Sequence, residues 1–339
     1  MPRILNDLGP RINYHMTFYR HILKKAWEIA IKNKYLWFFG LFTALLGNGG
    51  EYEIFLKTFS EDNQELFPNL NNLTSTGIFS AEGLRNTVKT AVTDPVNFSI
   101  VMGILLVSLV LVAFLVWLVI ISQAALVNSS AKIIQNKKTT FRDSLAGGID
   151  KFWPVFILNL INRGILIAIL ALLFLLIVKN SGLVSITYII SFIILIPLAI
   201  IFSFIIKYSV GYVVVKGQKL TAALQNGMRL FKENWIISIE MALLLALINF
   251  GLGFIAVIVI LVLAIPFLFL AFVFLNFLGS MGGFLAVAVL GLIVFIGLIF
   301  TTGAIIATFQ VSAWTGLFLE LLNKGGVAKI VRIFGKDPA

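Results

Sequence analysis

The feature that most constrains this chain is an apolar run of 44 residues, 235–278, whose single charged residue is Glu240. About 20 apolar residues cross a bilayer once, so the run can supply one long or two short transmembrane helices. The basic segment before it carries apolar residues at helical spacing: Leu220, Leu224, Met228 and Phe231. Such an amphipathic helix lies at the lipid headgroups, and a tryptophan sits well at the edge of the hydrocarbon. The stretch therefore predicts an interfacial helix, an anchor at Trp235 and then a membrane span.

The charge of the chain also points to a membrane. Charged residues make up 12% of the sequence, against about 25% in soluble proteins. The net charge is +11, but the basic residues are concentrated in short segments beside apolar runs, as in the cytoplasmic loops of membrane proteins. This distribution argues against nucleic acid as a partner. It favours membrane lipids, with the anionic headgroups on the cytoplasmic side as the partners of the basic segments.

The residues needed for most catalytic and metal chemistry are missing. The chain has no cysteine, which excludes disulfides, thiolate metal sites and cysteine nucleophiles. Its two histidines, His15 and His21, are six residues apart, so they do not share one helical face. Gly251 and Gly253 lie inside an apolar run, where glycine serves helix packing rather than nucleotide binding. We therefore expect no catalytic, metal-binding or cofactor-binding residues and a protein that is not an enzyme.

The apolar runs predict an all-α polytopic integral membrane protein, with residues 1–339 as a single membrane domain. We expect six transmembrane helices arranged as three hairpins, each preceded by an amphipathic interfacial helix. The expected spans are 35–46, 98–127, 152–178, 183–206, 235–263 and 284–322. With six spans every basic segment lies on one side of the membrane and the acidic segment on the other, as the positive-inside rule requires.

The segments between these spans follow from their charge. We expect an external acidic loop over 48–97, cytoplasmic basic amphipathic segments over 129–151 and 207–234, and a cytoplasmic basic tail over 323–339. The remaining apolar residues, 264–283, are expected to form a re-entrant or interfacial segment. A seventh span there is the alternative, but it would place the basic tail outside.

The beginning of the chain also has two interpretations. A cleaved signal peptide is one of them. The basic region is long, however, and no small-x-small cleavage site follows Leu46. We therefore favour an uncleaved, short first span.

One unit of sequence occurs three times: an amphipathic segment, an aromatic gate, an outgoing span, a loop and a returning span. The aromatic gates end at Trp37, Trp153 and Trp235, which we expect to anchor the chain at the membrane interface. The order of elements repeats more clearly than the residues themselves. Repeats in membrane proteins often surround a central site.

The gates also carry a resemblance to a known family. The segments Leu36-Trp37-Phe38-Phe39-Gly40-Leu41-Phe42 and Lys232-Glu233-Asn234-Trp235, with the six-span layout, resemble poorly characterised bacterial membrane proteins. Those proteins are related to the membrane domain fused to some glycerophosphoryl diester phosphodiesterases. The resemblance implies a bacterial cytoplasmic (inner) membrane. The phosphodiesterase activity of that family belongs to a separate soluble barrel, and the sequence contains no segment of that size, so the resemblance does not imply this activity.

A polar layer is predicted inside the spans. Arg163 follows Trp153 by ten residues, which places it about 15 Å along a helix, near the middle of the bilayer. A charge there is costly and suggests function. The other polar residues expected within the spans are Gln123, Asn159, Asn162, Glu240 and Gln310. They form either a cavity for an anionic headgroup or solute, with Arg163 as its charge, or interhelical hydrogen bonds that fix packing. The sequence favours packing, because no second buried basic residue accompanies Arg163.

The sequence thus predicts a non-catalytic integral membrane protein with both termini in the cytoplasm, acting through lipids or a protein partner. The alternative is a transporter or channel for a small or anionic solute or a lipid. Transport requires a continuous polar path, and the spans offer few polar residues for one.

Overall fold

A computed structural model describes residues 14–45, 95–178 and 184–324. Every regular element in these ranges is an α-helix, and no strand occurs among them. In chain order the helices are α1 (Tyr14–Lys32), α2 (Leu36–Ala44), α3 (Pro95–Ile134), α4 (Phe141–Ile149), α5 (Phe152–Val178), α6 (Val184–Lys216), α7 (Leu220–Glu233), α8 (Trp235–Asn276) and α9 (Met281–Lys324). The predicted acidic loop up to residue 94, and the predicted tail from residue 325, lie outside the described residues.

Five of the described helices are long and apolar enough to cross a membrane. Their apolar stretches are Phe98–Ile134, Phe152–Ile169, Ile193–Lys216, Trp235–Asn276 and Met281–Asn323. Helix α2, in the predicted first span, has nine residues and is therefore about 14 Å long, less than half the thickness of the hydrocarbon layer. The described chain is thus that of a multi-pass membrane protein with five candidate spans.

The predicted break after residue 263 does not occur. Helix α8 continues through Pro266 to Asn276, a short turn follows with Gly279 at φ +58°, and α9 begins at Met281. Residues 264–276, part of the segment expected to be re-entrant or interfacial, therefore continue the same helix as the fifth predicted span. A membrane helix tolerates a proline, and continuing the helix satisfies the backbone of this apolar segment without water.

Helices α8 and α9 pack antiparallel. The rings of Phe267 and Phe295 meet edge to face at a centroid distance of 5.6 Å. Two glycines of α9 allow this close approach: a methyl group on Gly283 would lie 2.2 Å from the ring of Phe274, and one on Gly291 would lie 3.2 Å from that of Phe267. The intervening residues 246–303 carry no charge, as expected for a surface that faces lipid.

The chain divides into two compact units, residues 52–118 and residues 1–51 with 119–339. In the smaller unit the described residues are 95–118, the first part of α3. Residues 99–117 there are all exposed, and the ring of Phe114 stacks on that of Trp117 at 5.8 Å. This apolar, exposed helix is consistent with a lipid environment.

The core of the larger unit forms where short helices pack on the C-terminal ends of long ones. Helix α4 packs so closely on α3 that a methyl group added to Gly148 would lie 2.5 Å from the carbonyl oxygen of Ile121. Helix α7 lies on α6, where a methyl group on Gly227 would meet the carbonyl of Ile205 at 2.9 Å. Helix α1 packs on α9, with Trp27 edge-on to the ring of Phe309. The three amphipathic helices therefore bury part of their surface in protein.

The buried face of α7 is rotated from the predicted one. Its buried residues are Ala223, Gly227, Leu230 and Phe231, whereas Met228 of the predicted stripe is 41% exposed. Small residues allow the axis of α7 to come close to α6, and this proximity outweighs the larger apolar surface of Met228.

Helices α3, α6 and α9 make similar contacts: α3 contacts α5, α6 contacts α8, and α9 contacts α2. Asn159 of α5 donates to Gln123 of α3, and Ser238 of α8 shares a hydrogen bond with Tyr208 of α6. Helix α2 packs on α9, the last helix of the described chain. Helices α3, α6 and α9 are thus each joined to one amphipathic helix (α4, α7 or α1) and to one further helix (α5, α8 or α2).

Candidate functional site

The C-terminal parts of α3, α6 and α9 line a partly open cavity of about 60 Å³. Its lining residues are Gln123, Val127, Lys207, Tyr208, Val210, Gly211, Gln310, Val311, Trp314, Thr315 and Phe318. One of these side chains is a cation, and none is a carboxylate. A space of this size holds a few water molecules or one small anionic group.

Gln123, Lys207 and Gln310 occupy matching places on their helices. Each is followed four residues later by another lining residue: Val127, Gly211 and Trp314. Residues four apart share one helical face, so the same face of each helix is turned to the cavity. Gln123 and Lys207 also lie nine residues before the basic residues Lys132 and Lys216, or about 13 Å along the axis.

Lys207 supplies the charge of the cavity. Its ammonium group lies 4.7 Å from the ring centroid of Trp314 and 5.9 Å from that of Phe204. A cation over an aromatic face is stabilised electrostatically, and more strongly where water is excluded. The two rings therefore hold the ammonium group in place beside the cavity.

Gln123 is oriented by a neighbouring helix. The side-chain nitrogen of Asn159 donates to Oε1 of Gln123 at 2.7 Å and to the carbonyl of Val155 at 2.9 Å. With this oxygen accepting from Asn159, the amide NH₂ of Gln123 is the group that can donate to a ligand. Gln310, which also lines the cavity, is buried at 4% exposure.

Glu240 lies outside the cavity lining. Its carboxylate is buried and accepts a hydrogen bond of 2.5 Å from the hydroxyl of Tyr19, which joins α1 to α8. Burial and the neighbouring carboxylate raise the pKa of Tyr19, so the phenol remains a donor. This pair serves to attach α1.

Arg163 is not the charge of the cavity. It is exposed, and neither Arg163 nor Asn162 is among the lining residues. Packing along α5 explains this, because Val155 and Leu158 are fully buried while the residues one turn further are not covered to the same extent. The predicted set is therefore divided: Gln123 and Gln310 line the cavity, Asn159 supports Gln123, and Arg163 and Asn162 lie elsewhere.

Lys207 was missed because the sequence interpretation took it as the first residue of a basic segment. A signal was available, since the eight residues after it, 208–215, carry no charge. Two helical turns therefore separate Lys207 from the next cation, Lys216, which places Lys207 inside an apolar helix.

The three expected anchors differ in exposure. Trp153 and Trp235, at the starts of α5 and α8, are 69% and 51% exposed. Trp37 is partly buried, and its indole nitrogen donates to the carbonyl of Ala30 at 2.6 Å. Trp153 and Trp235 are therefore available to an interface, whereas Trp37 also ties α2 to the end of α1.

Comparisons of the chain with protein-family models, with curated proteins and with solved structures found no match. In the part of the chain that the structure describes, no group of three or more His, Asp or Glu side chains could hold a metal ion. Function is therefore inferred from the geometry and charge of the cavity.

Proposed function

We propose that the protein is a non-catalytic integral membrane protein that binds an anionic lipid headgroup in the cavity between α3, α6 and α9. The observation that carries this proposal is the lining itself: one cation, two primary amides and no carboxylate. A phosphate or carboxylate oxygen accepts charge-assisted hydrogen bonds from a lysine and further bonds from amide groups. Apolar side chains such as Val127 and Val311 complete the wall and suit the part of a lipid nearest its headgroup.

The proposed topology puts this cavity near the cytoplasmic leaflet of a bacterial cytoplasmic membrane. We propose six spans in three repeated hairpins, namely the five candidate spans and a short first span that includes α2. In this proposal α1, α4 and α7 lie along the inner interface and both termini are in the cytoplasm. Helices α3 and α6 carry a lysine in their last turn, and the positive-inside rule favours such ends on the cytoplasmic side. Anionic lipids are concentrated in that leaflet. The family resemblance of the two aromatic gates agrees with this arrangement.

A transporter or channel has less support. A permeation path must be polar across the bilayer. The lining of the cavity does not include Arg163, and residues 246–303 of α8 and α9 carry no charge. Binding of a protein partner at the amphipathic helices remains compatible with a lipid in the cavity.

The test is the lipid retained when the protein is purified in mild detergent. Lys207→Gln should lose anionic lipid because it removes the charge, and Lys207→Arg should keep part of it because the charge remains while the shape differs. Lys219→Gln is the matched control, since Lys219 is exposed on the segment before α7. Native mass spectrometry of the wild type, these three variants and Arg163→Leu gives the ratio of anionic to zwitterionic lipid in each protein.

Folding is checked in parallel by helical circular dichroism and gel filtration. Unchanged anionic lipid in a folded Lys207→Gln variant would contradict the proposal. If Arg163→Leu loses the anionic lipid while Lys207→Gln retains it, the lipid site lies at Arg163 and not at Lys207. A flux of phosphate across proteoliposomes that Lys207→Gln abolishes would favour transport instead.

A further inference from the structure

A second pocket, of about 530 Å³, lies where α3 ends and α4 begins. Its lining residues are Asn128, Lys132, Lys137, Lys138, Asp143, Ala146, Gly147, Asp150, Lys151 and Val214. We call it the basic pocket. It shares no lining residue with the cavity around Lys207. It is a wide depression that is open to the surroundings rather than an enclosed cavity.

The basic pocket has a positive balance of charge, with four lysines against two aspartates, or 4 − 2 = +2. Asp143 is already engaged, because its carboxylate accepts hydrogen bonds from the hydroxyl of Thr140 at 2.7 Å and from the N–H of Thr140 at 3.2 Å. Among the ion pairs of the described residues, none involves a lysine of this pocket. No ammonium group of the pocket therefore forms an ion pair with a carboxylate of the described residues.

The turn that carries Lys137 and Lys138 is held in a defined shape. Asn136 adopts φ +61°, a conformation that asparagine tolerates at the end of a helix. The N–H of Lys137 donates to the carbonyl of Lys132 at 2.9 Å, and Lys25 of α1 donates to the carbonyl of Ile134 at 2.7 Å. The turn is thus attached to both α3 and α1, so its lysines project from an ordered support.

We infer that the basic pocket binds a phosphate-bearing anion with two or more negative charges. Lysine binds phosphate as a point charge, and several lysines around one space favour a multiply charged group. Seven of the ten lining residues are charged lysines and aspartates or an asparagine, and such a lining suits a phosphate group. The phosphate belongs to a soluble molecule or to the headgroup of a lipid. This site is independent of the proposed function of the cavity.

Inorganic pyrophosphate is the probe, titrated calorimetrically into the full-length protein in nanodiscs of phosphatidylcholine. We expect saturable binding that weakens about tenfold or more in Lys137→Gln/Lys138→Gln, because each lysine contributes a charge-assisted bond. The matched control is Lys216→Gln/Lys219→Gln, which removes two exposed lysines outside the pocket. It should bind within about twofold of the wild type. Asp150→Asn should bind more tightly, because it removes an exposed carboxylate from the lining.

Nanodiscs that contain phosphatidic acid distinguish the two sources. Competition with pyrophosphate would assign the pocket to a lipid headgroup, and its absence would assign it to a soluble anion. The absence of saturable pyrophosphate binding would overturn the inference. Equal weakening in both double variants would also overturn it, because the attraction would then come from the general positive charge of the surface.

Discussion

At the residue scale, the cavity depends on one glycine. Gly211 lies on α6 one turn after Lys207, and a methyl group there would come within 3.0 Å of three atoms of the Phe318 ring. The absence of a side chain thus sets the distance between α6 and α9 beside the cavity. Gly164 offers a contrast, because nothing lies within 4 Å of a methyl group at that position of α5.

Gly211→Ala should destabilise the protein and reduce the anionic lipid it retains. The added methyl must displace the Phe318 ring, and overpacking of this kind costs about 1–3 kcal/mol. Gly164→Ala should be neutral or stabilising by up to about 1 kcal/mol, because alanine is the better helix former and meets no neighbour. Thermal unfolding in one detergent, with lipid content measured beside it, compares the two. A Gly211→Ala protein as stable and as lipid-rich as Gly164→Ala would contradict the close packing.

Residues also show what sequence could supply. Gln123 and Gln310 were found because a polar side chain in an apolar run is conspicuous, and both line the cavity. Lys207 was not, because it was grouped with the basic segment that follows it, although the uncharged residues 208–215 separate it from Lys216. Arg163 was expected to carry the charge of any cavity, but it is exposed. Its distance along the helix follows from its spacing after Trp153, whereas its exposure depends on how far the neighbouring helices cover α5.

At the element scale, α4 begins with a capping box. Thr140 accepts from the N–H of Asp143, and the carboxylate of Asp143 accepts from the N–H and hydroxyl of Thr140. The hydrogen bond from the hydroxyl of Thr140 is the main cause that lowers the pKa of Asp143 below its ordinary value of 3.8. The ionised cap satisfies N–H groups that the first turn of the helix leaves without partners.

The start of α4 should therefore loosen in acid. A group whose pKa is lower in the folded protein stabilises it above the unfolded pKa, and this contribution is lost as the pH falls through the folded value. Below pH 3.8, hydrogen exchange of residues 141–149, corrected for its intrinsic pH dependence, should increase relative to pH 7. Asp143→Asn should show a much smaller change between the two pH values, and an equal increase in both proteins would contradict the role of the cap.

Elements also mark a limit of sequence analysis. The amphipathic character of the segment before Trp235 was evident, and Phe231 of the predicted stripe is buried. The structure also buries Ala223 and Gly227, which the stripe did not include, and leaves Met228 exposed. The distribution of apolar residues predicts that a helix is amphipathic. Which face is buried depends on where small residues contact the partner helix, and this contact is known only from the structure. Likewise the uniform apolar character of residues 264–275 does not distinguish a continued helix from a separate apolar segment, so the full length of α8 was not predicted.

At the scale of the whole molecule, the helical class and the membrane location follow from composition, but the closure of the bundle does not. Helix α1 packs on α9, and the Tyr19–Glu240 hydrogen bond joins residues 221 positions apart. Neither contact has a signal in local spacing. The repeated order of elements along the chain predicted three similar units. It did not predict that α1 and α2 pack on α9, at the other end of the chain.

The topology itself is testable, because the protein has no native cysteine. Single cysteines are placed at Ser75 in the acidic segment, at Asn276 at the end of α8, and at Gln135 after α3. Asn276 and Gln135 are both exposed, so a cysteine there is accessible to a reagent. Ser144 in the same basic segment as Gln135 is less suitable, because it is buried and hydrogen-bonded to Ser129. With six spans and cytoplasmic termini, the positive-inside rule places Gln135 inside and the other two positions outside.

An impermeant thiol reagent should therefore label Ser75→Cys and Asn276→Cys in intact cells, and Gln135→Cys only after the membrane is permeabilised. Asn276 tests the length of α8, since this helix of 42 residues is about 63 Å long and exceeds a bilayer of about 30 Å even when tilted moderately. Protection of Asn276→Cys both before and after permeabilisation would mean that the tip of α8 stays within the lipid. Labelling of Gln135→Cys in intact cells would reverse the orientation and remove the cavity from the cytoplasmic leaflet.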